Sequence, residues 1–277
     1  MASFKEMKKN RMANLESLSK QVEKLAEKPS YEDERIWKLE RDKTGNGYAV
    51  IRFLPAPPKE DVPWVRVWTH GFKGPGGWYI ENSLTTLGKD DPVSKANTAL
   101  WNSGIDSDKN IARERRRKLN YYSNIYIVED AANPQNEGKV FLFRYGKKIF
   151  EKITGVMNPE FKDETPMNPF DLWEGANFKI KIRQVDGYAN YDKSEFASQS
   201  KLGDDEKCET IWKKQYLLQD IVSEDKFKSY QELEARFNTV IGSDSGFEES
   251  IDVEEETVKP TGDTSETMEY FKKLAEQ

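Results

Sequence analysis

Residues 44–54 read TGNGYAVIRFL, a turn-forming stretch followed by a nearly continuous apolar run. Glycine and asparagine favour tight turns, and a run of β-branched and aromatic residues is typical of a strand. Because Trp37–Leu39 precedes the turn, the pattern predicts a β-hairpin across it. Arg52 would face away from Ile51 and Phe53, so the residues alone favour an ordinary exposed arginine at this position.

Similar runs recur between about residues 36 and 242, the body of the chain. Strands are predicted at Trp64–Trp68 and Trp78–Ile80, on either side of a glycine-rich loop at Gly71–Gly77. Further strands are predicted at Ser123–Val128, Lys139–Tyr145 and Phe178–Val185, and helices at Lys147–Thr154, Glu206–Asp220 and Lys226–Ile241. Short turns and alternating aromatics indicate an α+β fold with a mainly β core, built as a barrel or a sandwich.

The two ends of the chain differ from this body. Residues 1–28 are predicted to form an amphipathic helix that ends before Pro29, with Lys8, Lys9 and Arg11 giving its start a basic character. Its apolar stripe consists of Leu15, Leu18, Val22 and Leu25. This stripe is narrow enough to dock either on the body or on another molecule.

Residues 243–277 form an acidic tail. The tail holds eleven acids and three bases, a net charge of −8, which leaves +2 for residues 1–242. Few apolar residues and a high net charge predict disorder. Met268, Phe271 and Leu274 recur every third residue near the end, as in a partner-docking segment.

Composition excludes several classes of protein. The 277 residues carry a net charge of −6, and 33% of them are charged. No apolar run approaches the roughly 20 residues that span a bilayer. The N-terminus lacks the apolar core of a signal peptide, and the single cysteine, Cys208, cannot form an internal disulfide. These features predict a cytoplasmic protein with no membrane partner.

Nothing in the sequence indicates catalysis. His70 is the only histidine, and no recognisable nucleophile or carboxylate partner accompanies it. The glycine-rich loop at Gly71–Gly77 lacks the lysine pattern of a phosphate-binding loop. The sequence therefore predicts that the protein is not an enzyme.

The strongest functional signal is residues 109–122, KNIARERRRKLNYY, with six basic residues and one acid. Guanidinium groups neutralise phosphates, and aromatic faces such as those of Tyr121 and Tyr122 stack on exposed bases. The segment favours a single-stranded nucleic-acid groove over the alternative of a solvated helix face. Trp101, Tyr188 and Tyr191 suit base stacking and ordinary packing equally well.

Seven stretches of the body match one protein family, in the same order along the chain. They are GNGYAVIRFLP at 45–55, HGFK at 70–73, WYIE at 78–81, NEGKVF at 136–141, RYGKKI at 144–149, WEGANF at 173–178 and DKFKS at 225–229. In these stretches the chain resembles the single-stranded DNA-binding (helix-destabilising) proteins of T-even-type bacteriophages. The resemblance implies an OB-fold, a five-stranded Greek-key barrel, within a core at 29–242 that carries an inserted subdomain at about 60–105.

The same resemblance implies roles for individual residues. The implied groove positions are Arg52, Trp101, Arg116, Arg117, Lys118, Tyr121, Tyr122, Tyr188 and Tyr191. Lys8, Lys9 and Arg11 would contact the neighbouring protomer and make binding cooperative. The tail at 243–277 would recruit phage replication and recombination proteins and shield the groove when DNA is absent.

One departure from the family concerns its metal. T-even-type members hold zinc with one histidine and three cysteines, whereas here His70 remains and the cysteine positions align with Ser83, Asp91 and Ser94. Because such a site needs thiolates, no zinc and no other cofactor is expected. Packing of Trp64, Trp68, Trp78 and Tyr79 is expected to hold the subdomain together instead.

The function predicted from these observations is cooperative, sequence-tolerant binding of single-stranded DNA in phage replication, recombination and repair, in the cytoplasm of the infected host cell. The rival is a protein-interaction adaptor whose arginine cluster binds acidic partners. Binding of RNA is a variant of the first function.

Overall fold

The computed structural model describes residues 33–185 and 187–242, which fold around one connected sheet of nine strands. The strands are Ile36–Trp37 (β1), Gly47–Phe53 (β2), Val65–Gly74 (β3), Gly77–Asn82 (β4), Lys118–Glu129 (β5), Val140–Tyr145 (β6), Ala176–Val185 (β7), Tyr188–Asn190 (β8) and Glu195–Gln199 (β9). The helices in these ranges are Pro92–Asn102 (α1), Asp106–Glu114 (α2), Lys147–Met157 (α3), Asp205–Lys213 (α4) and Tyr230–Ile241 (α5). The predicted α+β class with a mainly β core is confirmed. The predicted arm at 1–28 and tail at 243–277 lie outside the described residues.

Strand β5 is the centre of the sheet, because three neighbours pair with different parts of it. Residues 118–122 pair with β3, residues 121–126 with β6 and residues 125–129 with β2, all antiparallel. Strand β2 continues the sheet to β7, which pairs with β8 and β9, while β3 also pairs with β4. The start of β5 therefore lies where the main sheet meets the β3–β4 hairpin.

The hairpin predicted across residues 44–54 is wrong. Strand β1 does not pair with β2 but runs parallel to β6, with Trp37 opposite Phe143. The turn itself is present, because the Asp42 carboxylate accepts hydrogen bonds from the backbone N–H groups of Thr44 and Asn46. Trp37 is fixed by a long-range contact, the donation of its Nε1–H to Asp130 at 2.9 Å, which no local pattern encodes.

The strand pair predicted around Gly71–Gly77 is confirmed, but the loop is much shorter than expected. The pairing of β3 with β4 extends to Gly74 opposite Gly77. A Cβ atom at Gly74 would lie 2.3 Å from the Val240 carbonyl oxygen, and one at Gly76 would lie 2.0 Å from that of Thr239. These glycines are required because the end of α5 packs directly on the turn.

Helix α3 was predicted correctly at its start, and α4 and α5 were predicted too long. Helix α5 begins at Tyr230 because Ser229 and Glu232 form a capping box. The expected helix at 206–220 ends at Lys213 and is followed by short turns. None of the helices in the described ranges is both long and apolar enough to cross a membrane.

Two apolar clusters organise the described residues. The main core lies between the main sheet and α3, and its largest members are Trp37, Phe53, Tyr121, Phe143, Tyr145, Phe170 and Phe178. The subdomain core joins the β3–β4 hairpin to α1 and α5 and consists of Phe72, Tyr79, Leu84, Val93, Leu233, Phe237 and Val240. Helix α5, more than 120 residues after the predicted insertion, therefore completes the subdomain.

The tryptophans expected to hold the subdomain do not do so. Of the four aromatic residues predicted for this role, only Tyr79 belongs to the subdomain core. Trp64 packs on the main core against Phe150 and Phe170, and Trp78 is 58% exposed on the edge strand β4. The alternation along β4 explains this, because Tyr79 faces the core and its neighbours face away.

Candidate nucleic-acid interface

The residues Arg113–Lys118, here called the basic segment, link α2 to β5. Helix α2 ends at Glu114, residues 115–117 form the connection, and Lys118 begins the strand. Among the cations, the alternative of a helix face can thus apply only to Lys109 and Arg113, which lie in α2. Both ends of the connection are fixed by regular structure, so the arginines project from a defined position.

Aromatic rings support three of these arginines. The guanidinium of Arg117 lies 4.3 Å from the centre of the Trp68 ring, and that of Arg113 lies 5.3 Å from that of Trp101. Such cation–π contacts orient a guanidinium without neutralising it. Arg115 instead lies over Phe72 and Phe237 of the subdomain core, where burial lowers its pKa. Arg116, Arg117 and Lys118 are exposed.

The positive charge of the basic segment is only partly offset, because its five cations are accompanied by one acid, Glu114. Within the described part of the chain, none of its five cations forms an ion pair with a carboxylate. Some surface cations elsewhere are paired, as Arg35 is with Asp33 at 2.7 Å and Lys181 with Glu195 at 2.7 Å. A concentration of unpaired guanidinium groups is the electrostatic signature of an anion site.

Tyr121 and Tyr122 do not present the open faces that base stacking requires. They are 7% and 8% exposed, and because successive strand residues face opposite sides they enter different clusters. Tyr121 stacks on Phe150 of α3, with ring centres 3.9 Å apart. Tyr122 packs with Val65, and burial raises its pKa. Their place in a DNA groove stays a prediction, and their burial gives it no support.

Tyr188 and Trp101 are the exposed aromatics of the predicted set. Tyr188 is 79% exposed beside Gly187, whose φ of 81° makes the tight turn between β7 and β8. Trp101 is 49% exposed near the end of α1. Tyr191 differs, because it packs partly against the main core and burial raises its pKa.

The β7–β8 hairpin is connected to β5 through α3. Lys148 donates to the Asn190 side chain at 3.2 Å, and Lys152 donates to the Asp192 carbonyl at 3.1 Å. Phe150, on the same helix, carries the stacked ring of Tyr121. Helix α3 thus connects the Tyr188 hairpin with the strand that follows the basic segment.

Arg52 is not an exposed strand arginine, and that expectation is wrong. Its side chain is fully buried, with Nη2 donating to the carbonyl oxygens of Asp171 and Ser200 at 2.9 and 2.8 Å. Nη1 donates to Asn177 Oδ1 at 3.3 Å. Burial lowers the pKa of the guanidinium. A side chain that solvent does not reach gives no support to a groove position.

Arg66 was missed by the sequence reasoning. It is an exposed residue of β3 directly opposite Tyr121, and so it faces the same side of the sheet as that ring. Like the basic segment, it forms no ion pair with a described acid. Arg66 was not selected from the sequence because it lies between Val65 and Val67 in an apolar run. The pairing of β3 with β5 places it beside the start of β5, next to the basic segment.

The four residues for which the sequence resemblance implied an alignment with zinc ligands meet in a largely buried polar cluster of the subdomain, formed by His70, Ser83, Asp91 and Ser94. His70 Nε2 lies 3.1 Å from Asp91 Oδ1 and 3.4 Å from Ser94 Oγ. Ser83 Oγ donates to Asp91 Oδ2 at 2.9 Å, and the Ser94 N–H donates to Oδ1 at 2.9 Å. The Nδ1–H of His70 donates to the Arg115 carbonyl at 2.9 Å, which ties the cluster to the basic segment.

This polar cluster does not fit a zinc ion. The cluster contains no thiolate ligand. The Asp91 carboxylate is already engaged in hydrogen bonds with His70 and Ser83. Burial by itself would raise the pKa of Asp91, but hydrogen bonds from His70, Ser94 and Ser83 outweigh it and lower the pKa to about 2. Among the described residues, no group of three or more His, Cys, Asp or Glu is arranged to hold a metal.

The predicted cooperativity residues Lys8, Lys9 and Arg11 and the predicted docking residues Met268, Phe271 and Leu274 lie outside the described residues.

Comparison with known proteins gives one consistent family. A family model described as "gp32 DNA binding protein like" matches residues 45–241, which include the basic segment and the polar cluster. The single-stranded DNA-binding protein of Enterobacteria phage T2 is 41% identical over 233 residues, 82% of this chain and 77% of that protein. Its counterpart from Enterobacteria phage T4 is 41% identical over 218 residues, 77% of this chain and 72% of that protein. The chain therefore belongs to the gp32-like family of DNA-binding proteins.

Proposed function

We propose that this protein binds single-stranded DNA cooperatively and with little sequence preference, and that it coats the strand during phage replication, recombination and repair. The observation that carries the proposal is the basic segment, five cations without acidic partners among the described residues, at the junction of the sheet with the β3–β4 hairpin. Family membership supports it, because relatives of high identity are named single-stranded DNA-binding proteins.

Affinity comes from phosphates and tolerance of sequence comes from stacking. Arg116, Arg117 and Lys118 neutralise the backbone of the strand, which releases condensed counterions and makes binding depend steeply on salt. Tyr188 and Trp101 offer ring faces that any base can stack on. In this proposal the barrel around β5 is an OB-fold, and the protein performs no catalysis.

The test is a titration of fluorescently labelled oligo-dT with the full chain over a range of salt concentrations. We expect length-dependent binding whose logarithm falls by about 0.7 per phosphate contact for each tenfold rise in salt. Absence of binding to oligo-dT, together with retention of an acidic peptide, would leave the adaptor function instead. Equal affinity for oligo-U and oligo-dT would extend the ligand to RNA.

The two ends of the chain regulate this binding in our proposal. Lys8, Lys9 and Arg11 of the arm contact the next protomer, so removal of residues 1–28 lowers cooperativity on long poly-dT more than affinity for a short oligonucleotide. The tail shields the interface and recruits replication and recombination proteins through Met268, Phe271 and Leu274. Removal of residues 243–277 therefore strengthens binding at low salt, and an unchanged affinity would contradict the shielding.

The protein acts without zinc in this proposal, because the polar cluster takes the place of a metal centre. Support comes from the mutual hydrogen bonds of His70, Ser83, Asp91 and Ser94. The unfolding temperature of the purified chain should not change when a chelator is added. A stoichiometric zinc content by elemental analysis would overturn this part of the proposal.

A further inference from the structure

A cavity of about 330 Å³ opens along the edge of β3 that does not face β5. Arg66 and Trp68 line one side of it, and Thr86 and Leu87 of the short turn after Ser83 line the other. Val65, Thr85 and Val222 complete the lining. The cavity thus combines one cation and one indole ring with threonine and aliphatic side chains.

The walls of this cavity are held in place by backbone hydrogen bonds. The Trp68 N–H donates to Thr86 Oγ1 at 2.9 Å, and the Ser83 N–H donates to the Trp68 carbonyl at 2.8 Å. These bonds fix the turn to the strand edge, so the space between them is preformed and does not depend on a ligand. A preformed site loses little conformational entropy when it is filled.

The cavity adjoins the basic segment. Trp68, which lines the cavity, also carries the Arg117 guanidinium over its ring at 4.3 Å. Arg66 adds an exposed cation that forms no ion pair with a described acid. A strand whose phosphate is held by Arg117 would therefore continue past the mouth of the cavity.

We propose that this cavity is a nucleotide subsite of the DNA interface, in which Trp68 and the aliphatic side chains beside it take one base and Arg66 takes the adjoining phosphate. This inference rests on the proposed function and extends it to residues outside the basic segment. The chemistry fits the ligand, because a nucleotide pairs a flat apolar face with an anionic group and the cavity offers an indole and a guanidinium. Its volume lies within the range of small-molecule sites.

The first experiment compares Arg66→Ala with Lys139→Ala in the full chain. Lys139 is also exposed, carries no ion pair in the described part of the molecule and lies in the β5–β6 connection, so both variants change the net charge equally. We expect Arg66→Ala to reduce the slope of log affinity for oligo-dT against log salt by about 0.7, and Lys139→Ala to leave it unchanged. An equal slope change in both variants, or none in Arg66→Ala, overturns the subsite.

The second experiment locates the base by photocrosslinking. Oligo-dT with single 5-iodouracil substitutions is irradiated with the protein, and the crosslinked residue is identified by mass spectrometry. We expect a crosslink at Trp68 that Arg66→Ala weakens several-fold, and crosslinks confined to other residues overturn the assignment. If Arg116→Ala reduces the slope of log affinity against log salt while Arg66→Ala does not, the subsite proposal is wrong but the proposed function is supported. If the unaltered chain does not bind oligo-dT, both fail.

Discussion

Arg52 and the basic segment hold the same chemical group in opposite surroundings. Arg52 is fully buried, and its nitrogens donate to two backbone carbonyls and one amide oxygen of the β7–β9 region. The arginines at 116 and 117 are exposed and have no acidic partner within the described residues. The difference shows that an arginine is structural where the fold supplies its hydrogen-bond partners. It is available to a ligand where the fold supplies none.

The physical basis of this difference is desolvation. Transfer of a guanidinium out of water is unfavourable unless hydrogen bonds replace its hydration. Arg52 meets that requirement at three acceptors, although its Nε atom has no partner, and burial still lowers its pKa. The exposed arginines keep their hydration until a phosphate replaces it, which makes their charge usable for binding.

Replacement of Arg52 by methionine should have the largest effect on stability. The variant leaves the carbonyl oxygens of Asp171 and Ser200 and the Asn177 amide oxygen without their donors. We expect the free energy of unfolding to fall by about 2–4 kcal/mol, measured by urea denaturation. Affinity for oligo-dT, measured well below the unfolding transition, should stay within about twofold of the unaltered chain. A large loss of affinity at unchanged stability would mean that Arg52 contributes to DNA binding.

Sequence reasoning succeeded where the signal was local and failed where it was not. Strands β6 and β7 and the start of α3 carry strong periodic patterns and were predicted nearly at their true bounds. Helices α1 and α2 were missed, because α2 is almost entirely polar and α1 has only a weak apolar face, with two buried residues at its start. The pairing of β1 with β6 joins residues over 100 positions apart, so no local pattern predicts it.

The same limit applies to the interface. The basic segment was found because six cations in fourteen residues stand out in any sequence. The burial of Arg52 and of Tyr121 was not found, because it depends on the loop around Asp171 and on Phe150, both distant in the chain. The resemblance brought the polar cluster to attention, but only the fold shows that Asp91 satisfies His70 and both serines.

Acid should destabilise the subdomain through Asp91. Like Arg52, Asp91 is a buried charged group whose hydrogen-bond partners lie within the protein. Its pKa in the folded protein is lowered to about 2 from an ordinary value of 3.8, so its stabilising contribution is present above about pH 4 and is lost as the pH falls towards 2. We expect the difference in unfolding free energy between the unaltered chain and Asp91→Asn to shrink by about 2 kcal/mol between pH 5 and pH 2. Urea denaturation at each pH measures it, and a pH-independent difference would contradict the assignment.

Tyr188 tests whether an exposed side chain contributes to DNA binding and not to stability. Because its ring is 79% exposed, Tyr188→Ala should change the free energy of unfolding by less than about 0.5 kcal/mol. Loss of one stacking face should weaken binding to oligo-dT by about 1.5 kcal/mol, or roughly tenfold. Tyr188→Phe keeps the ring and serves as the control, with affinity close to that of the unaltered chain. Equal losses in both variants would indicate that the hydroxyl group, not the ring, contacts the strand.

A comparison of Arg116→Ala with Arg35→Ala has the smallest expected effect on affinity. It is also the most direct test of whether unpaired arginines contact DNA. Both residues are arginines of the described surface, but Arg35 is held by Asp33 at 2.7 Å and Arg116 has no such partner there. Arg116→Ala should lower affinity by about threefold at moderate salt and reduce the salt slope by about 0.7, whereas Arg35→Ala should leave the slope unchanged. Because the two variants lose the same charge, a slope that fell equally in both would mean that net charge alone drives binding. A slope that falls only in Arg116→Ala means that unpaired arginines at one place in the fold form the contact.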